Sequence, residues 1–100
     1  MKIYQAHSSD YYIPKNVYMI AYYSIKDYER MKNVIENNPN SVLRYEVEAI
    51  ERAFRETPKE YREAVWNNLA NDEKMPGRAK AYTIAKSRFV YLVARYAKFL

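Results

Sequence analysis

Apolar side chains recur at spacings of three and four along most of this chain, and each series stops at a short run of turn-forming residues. From Lys15 to about Asn37 the series Val17, Ala21, Ile25, Tyr28, Met31 and Ile35 traces one stripe of a helix. Pro14 suits its first turn, where a missing N–H is no loss. Asn37-Asn38-Pro39-Asn40-Ser41 breaks the pattern. A second helix is predicted from about Ser41 to Glu56, with Leu43, Val47, Ile50 and Phe54 along one side. Arg44, Glu48, Glu51, Arg52 and Arg55 occupy its other sides and, with Glu46, read as solvated ion pairs. Thr57-Pro58-Lys59-Glu60 offers a capping hydroxyl, a proline for the first helical position and a glutamate to return the capping bond. A third helix is therefore expected from near Pro58 to about Asn71, with Tyr61, Val65 and Leu69 on one face and Trp66 beside it.

Asn71 to Gly77 is the last breaker, and a long helix is predicted beyond it. Tyr82, Ala85, Phe89, Leu92, Val93, Tyr96 and Leu100 share one face of that helix at a 3.6-residue period. Lys80, Thr83, Ser87, Tyr91 and Lys98 point roughly the opposite way, flanked by Arg88 and Arg95. Residues 1–13, polar and tyrosine-rich with no helical period, read as a loose N-terminal arm on a single domain of residues 14–100. The fold class expected is all-α: a four-helix domain. One glycine, Gly77, and four prolines leave too little turn chemistry for a many-stranded sheet.

Charge changes the picture more than size does. The net charge of +5 is unevenly spread: all 12 acids lie in residues 1–73 with ten of the 17 Lys/Arg. Residues 74–100 carry Lys74, Arg78, Lys80, Lys86, Arg88, Arg95 and Lys98 and no acid. Such an acid-free basic element on a near-neutral body is the footprint expected of a phosphate-rich partner. An anionic membrane surface satisfies the same charges. No apolar stretch reaches the roughly 20 residues of a membrane span and no signal-peptide pattern opens the chain, so a cytoplasmic protein with no membrane partner is expected.

Catalytic and cofactor chemistry finds little footing. There is no cysteine, so thiolate metal sites and thiol catalysis are absent from the expectations. His7 is the single histidine and has no acid and nucleophile at a recognisable spacing. No phosphate loop or metal-ligand cluster is legible, and the chain is expected to be neither an enzyme nor a cofactor carrier. Tyr28, Tyr61, Trp66, Tyr82 and Tyr96 are assigned to packing, while Tyr4, Tyr11, Tyr12, Tyr22 and Tyr23 exceed what one small core takes and suggest a self-association face.

Several segments, in order, carry a family likeness. They are Asp27-Tyr28 with Met31-Lys32, Ile50-Glu51-Arg52-Ala53 leading to Glu60-Tyr61-Arg62, Val65-Trp66-Asn67-Asn68, and Arg88-Phe89-Val90-Tyr91 with Val93-Ala94. Together they resemble the RinA/ArpU-type phage transcriptional regulators over roughly residues 15–100. That family looks related at its C-terminal end to the helix-turn-helix of sigma factor region 4. The resemblance implies a helix-turn-helix-like C-terminal half, control of phage or prophage genes in a bacterial host cell, binding to double-stranded DNA and contact with RNA polymerase. By position, the implied reading helix is Ala79–Leu100, with Thr83, Lys86, Ser87 and Arg88 in its DNA-facing or flanking first half.

The expected DNA-binding set is thus Arg78, Lys80, Thr83, Lys86, Ser87, Arg88, Arg95 and Lys98. Arg88 and Lys86 are candidates for guanine edges. Equally, Arg88 is expected to lay its stem along the core beside Phe89, or to pair with Glu60 or Glu63 of the third helix. Thr83 and Ser87 suit phosphate better than base. A homo-oligomer is expected, since one short basic helix reads few base pairs. Two other classes stay open: a small DNA-packaging protein of the terminase small-subunit kind, and a helical adaptor whose C-terminal helix meets an acidic protein surface.

Overall fold

A computed structural model describes residues 11–75 and 80–100, and every regular element among them is a helix. In chain order these are α1 (Lys15–Lys26), α2 (Tyr28–Asn37), α3 (Leu43–Arg55), α4 (Lys59–Asn71) and α5 (Lys80–Tyr96). The all-helical expectation holds, with one division more than the periodicity gave.

The single first helix expected over residues 15–37 is two helices, parted at Asp27 (φ −92°, ψ 5°). The Asp27 N–H is shared between the carbonyls of Tyr23 (3.0 Å) and Ser24 (3.1 Å). Its carboxylate turns forward to the Arg30 guanidinium, at 2.6 Å for the shortest contact. An aspartate is poorly placed at a helix C-terminus, where the dipole is negative, and well placed at the start of the next helix. The predicted stripe survives the break. Ala21 and Ile25 are buried on α1, which packs on α5 and α4, and Met31 is buried on α2, which packs on α3. A bend at Asp27 lets one stripe serve two sets of partners.

The α3–α4 corner forms without the anticipated capping box. Pro58 precedes α4 with no side-chain cap. The buried Thr57 hydroxyl instead donates back to the Ala53 carbonyl at 3.0 Å, closing the end of α3. At the other end of α4, Asp72 takes a left-handed conformation (φ 58°) and its carboxylate accepts the Lys26 ammonium at 2.8 Å, tying that turn to α1.

α5 is the axis of the fold, packing against α3, α1 and α4. Its predicted stripe is buried at Ala85, Phe89, Leu92 and Val93, and Ser87, Val90 and Ala94 are buried as well. A helix surrounded by three others has no single wet face, and small side chains at those extra positions permit the approach. Trp66 of α4 gathers the aromatic centre. Its ring meets Tyr28, Phe54 and Phe89 edge-on at 5.2, 5.8 and 6.3 Å between centroids, the geometry favoured by ring quadrupoles. Tyr61 and Tyr82 make a similar contact at 5.0 Å. The assignment of Tyr28, Tyr61, Trp66, Tyr82 and Tyr96 to packing rather than base stacking fits this arrangement, since all five are half-buried.

The N-terminal arm expected over residues 1–13 does not reach Ile13. Residues 1–10, with Tyr4 and His7, lie outside the described residues, but Ile13 is 2% exposed in the core. Tyr11 lays its ring 5.7 Å from Tyr91 of α5. Apolar contact therefore overrides the lack of local period.

Phe89→Ala is expected to lower unfolding stability by about 3–5 kcal/mol, read from urea midpoints. A loss below about 1 kcal/mol would mean that Phe89 does not anchor α5.

Candidate nucleic-acid interface

The cations of the C-terminal element do not share one face. Lys80 and Arg95 are exposed on α5, and Lys98 is exposed in the turn that follows. Thr83 is half-buried. Ser87, expected on the outward side, is only 9% exposed, because α5 is packed on that side too. Lys86 lies one turn from Tyr82, Phe89 and Val90 and so leans over the apolar side. Its half-buried stem desolvates the ammonium, which lowers its pKa. Arg78 lies outside the described residues.

Arg88 has a structural task that neither sequence reading gave it. Its Nη1 donates to the Glu56 carbonyl at 2.6 Å, at the end of α3, rather than to Glu60 or Glu63. It is one of several donors converging there. Arg62 donates to the carbonyls of Thr57 (2.9 Å) and Arg55 (2.7 Å). The Glu56 carboxylate accepts from the Tyr96 phenol at 2.6 Å and from Arg52 at 3.1 Å. The Arg52 guanidinium lies 3.9 Å from the centre of the Tyr96 ring. Carbonyls left over at a helix C-terminus attract such donors and cations. The bond from Tyr96, then that from Arg52, holds the Glu56 carboxyl below its ordinary range.

A second allocation decides which arginines remain open. Helical spacing pairs Glu51 with Arg55, four residues on. In the fold Glu51 turns to α2 instead, accepting from the Tyr28 phenol at 2.6 Å and from Lys32 at 2.8 Å. Partial burial opposes ionisation of Glu51, but the bonds from Lys32 and Tyr28 outweigh it and its pKa is lowered. Burial, then the bond to Glu51, pushes the Tyr28 phenol up. Arg44–Glu48 (2.9 Å) and Arg52–Glu56 (3.1 Å) form as the spacing predicts. Glu46 accepts from Ser24 at 2.7 Å. Arg55 is left exposed with no carboxylate bonded to it.

Two concavities flank α3. One of about 290 Å³ lies against the aromatic centre, between Tyr28, Phe54, Trp66 and Glu51. The other, an open groove of about 700 Å³, runs between α3 and the end of α5. Tyr45, Arg52 and Arg55 form one wall and Tyr96 and Lys98 the other. Among the described residues no group of acids and histidines is placed to hold a metal ion. No described helix is long and apolar enough to cross a membrane.

No family model, no curated protein and no solved structure matches the chain. The likeness to RinA/ArpU-type regulators rests on the sequence segments alone.

Two measurements check these assignments. Arg88→Ala is expected to destabilise the fold by about 1–2 kcal/mol, since it strips a charged donor from the end of α3, whereas Lys80→Ala stays within about 0.5 kcal/mol. Urea midpoints of the two variants compare them, and equal midpoints would return Arg88 to the solvent-facing set. Acid titration checks Glu51. Its folded pKa lies below the ordinary 4.5, so its stabilisation is complete above that value and is lost as pH falls through the lower folded one. The stability gap between the native chain and Glu51→Gln is expected to shrink from about pH 6 to about pH 3; a constant gap would contradict the assignment.

Proposed function

We propose that the protein binds duplex DNA through outward cations of its C-terminal element, and that it does so as a phage-type transcriptional regulator. One observation carries the DNA-binding reading. All five ion pairs among the described residues draw their cations from Lys26, Arg30, Lys32, Arg44 and Arg52, and none from α5 or the turn after it. Ion pairing among the described residues is confined to the body, which leaves the C-terminal element's outward cations for a partner. A phosphate backbone is the polyanion that most directly matches such a surplus.

The mode differs from the one the family resemblance implies. With Ser87 buried and Arg88 bonded to α3, α5 is not a bare reading helix, and phosphate contacts by Lys80, Arg95 and Lys98 replace base reading by Lys86 and Arg88. Lys80 and Arg95 are fifteen residues apart, about 22 Å along a helix at 1.5 Å per residue. That is less than one duplex turn of about 34 Å, so both reach phosphates on one side of the DNA. Three contacts give modest affinity per chain, which fits action as a homo-oligomer. The regulatory role, with contact to RNA polymerase, rests on the resemblance of the Tyr61–Asn68 and Arg88–Ala94 segments.

Fluorescence anisotropy with a labelled duplex tests the reading. Three phosphate contacts predict a slope near −2.7 in log affinity against log salt, or roughly fortyfold weaker binding from about 50 to about 200 mM salt. Lys80→Ala with Arg95→Ala is expected to bring the slope to about −0.9. An affinity that ignores salt, or no binding at low salt, would sink the proposal.

A further inference from the structure

The groove between α3 and the end of α5 is not used by the duplex contacts of Lys80 and Arg95, and its charge balance differs from its composition. By residue type it is mixed, lined by Arg52, Arg55 and Lys98 and by Glu48 and Glu51. The carboxylates are already engaged. Glu48 holds Arg44 at 2.9 Å, Glu51 holds Lys32 at 2.8 Å, and the adjoining Glu56 holds Arg52 at 3.1 Å. Among the described residues neither Arg55 on one wall nor Lys98 on the other is ion-paired to a carboxylate, although the Arg55 charge also helps lower the Glu51 pKa. On the same wall as Arg55, toward the start of α3, Tyr45 is 75% exposed although it is a large aromatic.

Lys98 occupies a costly position. After α5 the chain closes in a Schellman turn, with the Phe99 N–H on the Ala94 carbonyl at 2.8 Å and the Lys98 N–H on the Arg95 carbonyl at 3.2 Å. That turn puts Lys98 at φ 63°, a left-handed conformation in which a Cβ crowds the backbone and for which glycine is the usual residue. The Lys98 side chain is exposed and buries little in return. Backbone strain kept at a solvent-facing cation points to a use for the charge.

We infer that this groove binds a single strand of nucleic acid, with Arg55 and Lys98 on the phosphates of one strand and Tyr45 stacked on an unpaired base. Cations on facing walls and an open aromatic ring in the same groove are the parts such sites are made from. The inference rests on the same C-terminal charge surplus as the duplex-binding reading, but on different residues apart from Lys98.

Anisotropy with a labelled oligothymidylate of about twelve nucleotides, run beside the labelled duplex, separates the two. The native chain is expected to bind the oligothymidylate at low salt. Tyr45→Ala should weaken that binding roughly tenfold and leave duplex binding unchanged. Lys98→Gly should do two things that misfolding does not combine: raise the thermal midpoint by relieving the turn, and weaken oligothymidylate binding with a salt slope shallower by about 0.7. Unaltered strand affinity in either variant overturns the inference. Duplex binding without strand binding overturns it and leaves the duplex reading standing. Strand binding without duplex binding supports it and removes the duplex reading, and binding of neither probe ends both.

Discussion

Phe89 set against the edge of Trp66 holds the rest of the molecule in place, because that contact fixes α5 among α1, α3 and α4. Once α5 is the axis, its residues cannot divide simply into an oily side and a wet side. Ser87 and Ala94 face neighbouring helices, Lys86 lays its stem across apolar surface, and Arg88 becomes a donor to the end of α3. The outward cations are those at the margins of the packing, at the start of α5 (Lys80), in its last turn (Arg95) and just beyond it (Lys98). A central helix that carries the fold's main aromatic anchor is exposed at its ends more than along its length.

Charge in this protein is settled by allocation rather than by count. Each described carboxylate of the α3 surface finds a specific partner, and several of those partners come from elsewhere in the chain. Glu51 is drawn to Tyr28 and Lys32 on α2, Glu46 to Ser24 on α1, and Glu56 to Tyr96 on α5 as well as Arg52 on its own helix. Because carboxylates are consumed across helices, Arg55 is exposed and acts on Glu51 only at longer range, not in the bonded pair that its spacing suggests. The same allocation leaves the cations of α5 and its terminal turn without an ion pair among the described residues.

The corner between α3 and α4 shows how local signals are re-used. Thr57 has the residue type and position of a helix cap, yet its hydroxyl serves the helix behind it, bonding Ala53 where water is excluded. Arg62, Arg88 and Tyr96 then arrive from two other helices to satisfy the same region. The corner is thereby a junction for three helices, and it stands beside the groove whose walls carry Arg55 and Lys98.

Periodicity by itself determined where most helices lie and which stripes are buried, since Ala21, Ile25, Met31, Val47, Ile50, Val65, Leu69, Phe89 and Val93 all entered the core on the faces that their spacing marks. It also placed the surplus of cations in the last quarter of the chain. Tertiary structure alone decided the rest. The break at Asp27, the burial of Ile13 and Ser87, the engagement of Arg88 and the release of Arg55 each depend on atoms far apart in sequence meeting at hydrogen-bond or van der Waals range. A spacing rule sees only neighbours on one helix, and the choice between a local partner and a distant one is made when the helices dock.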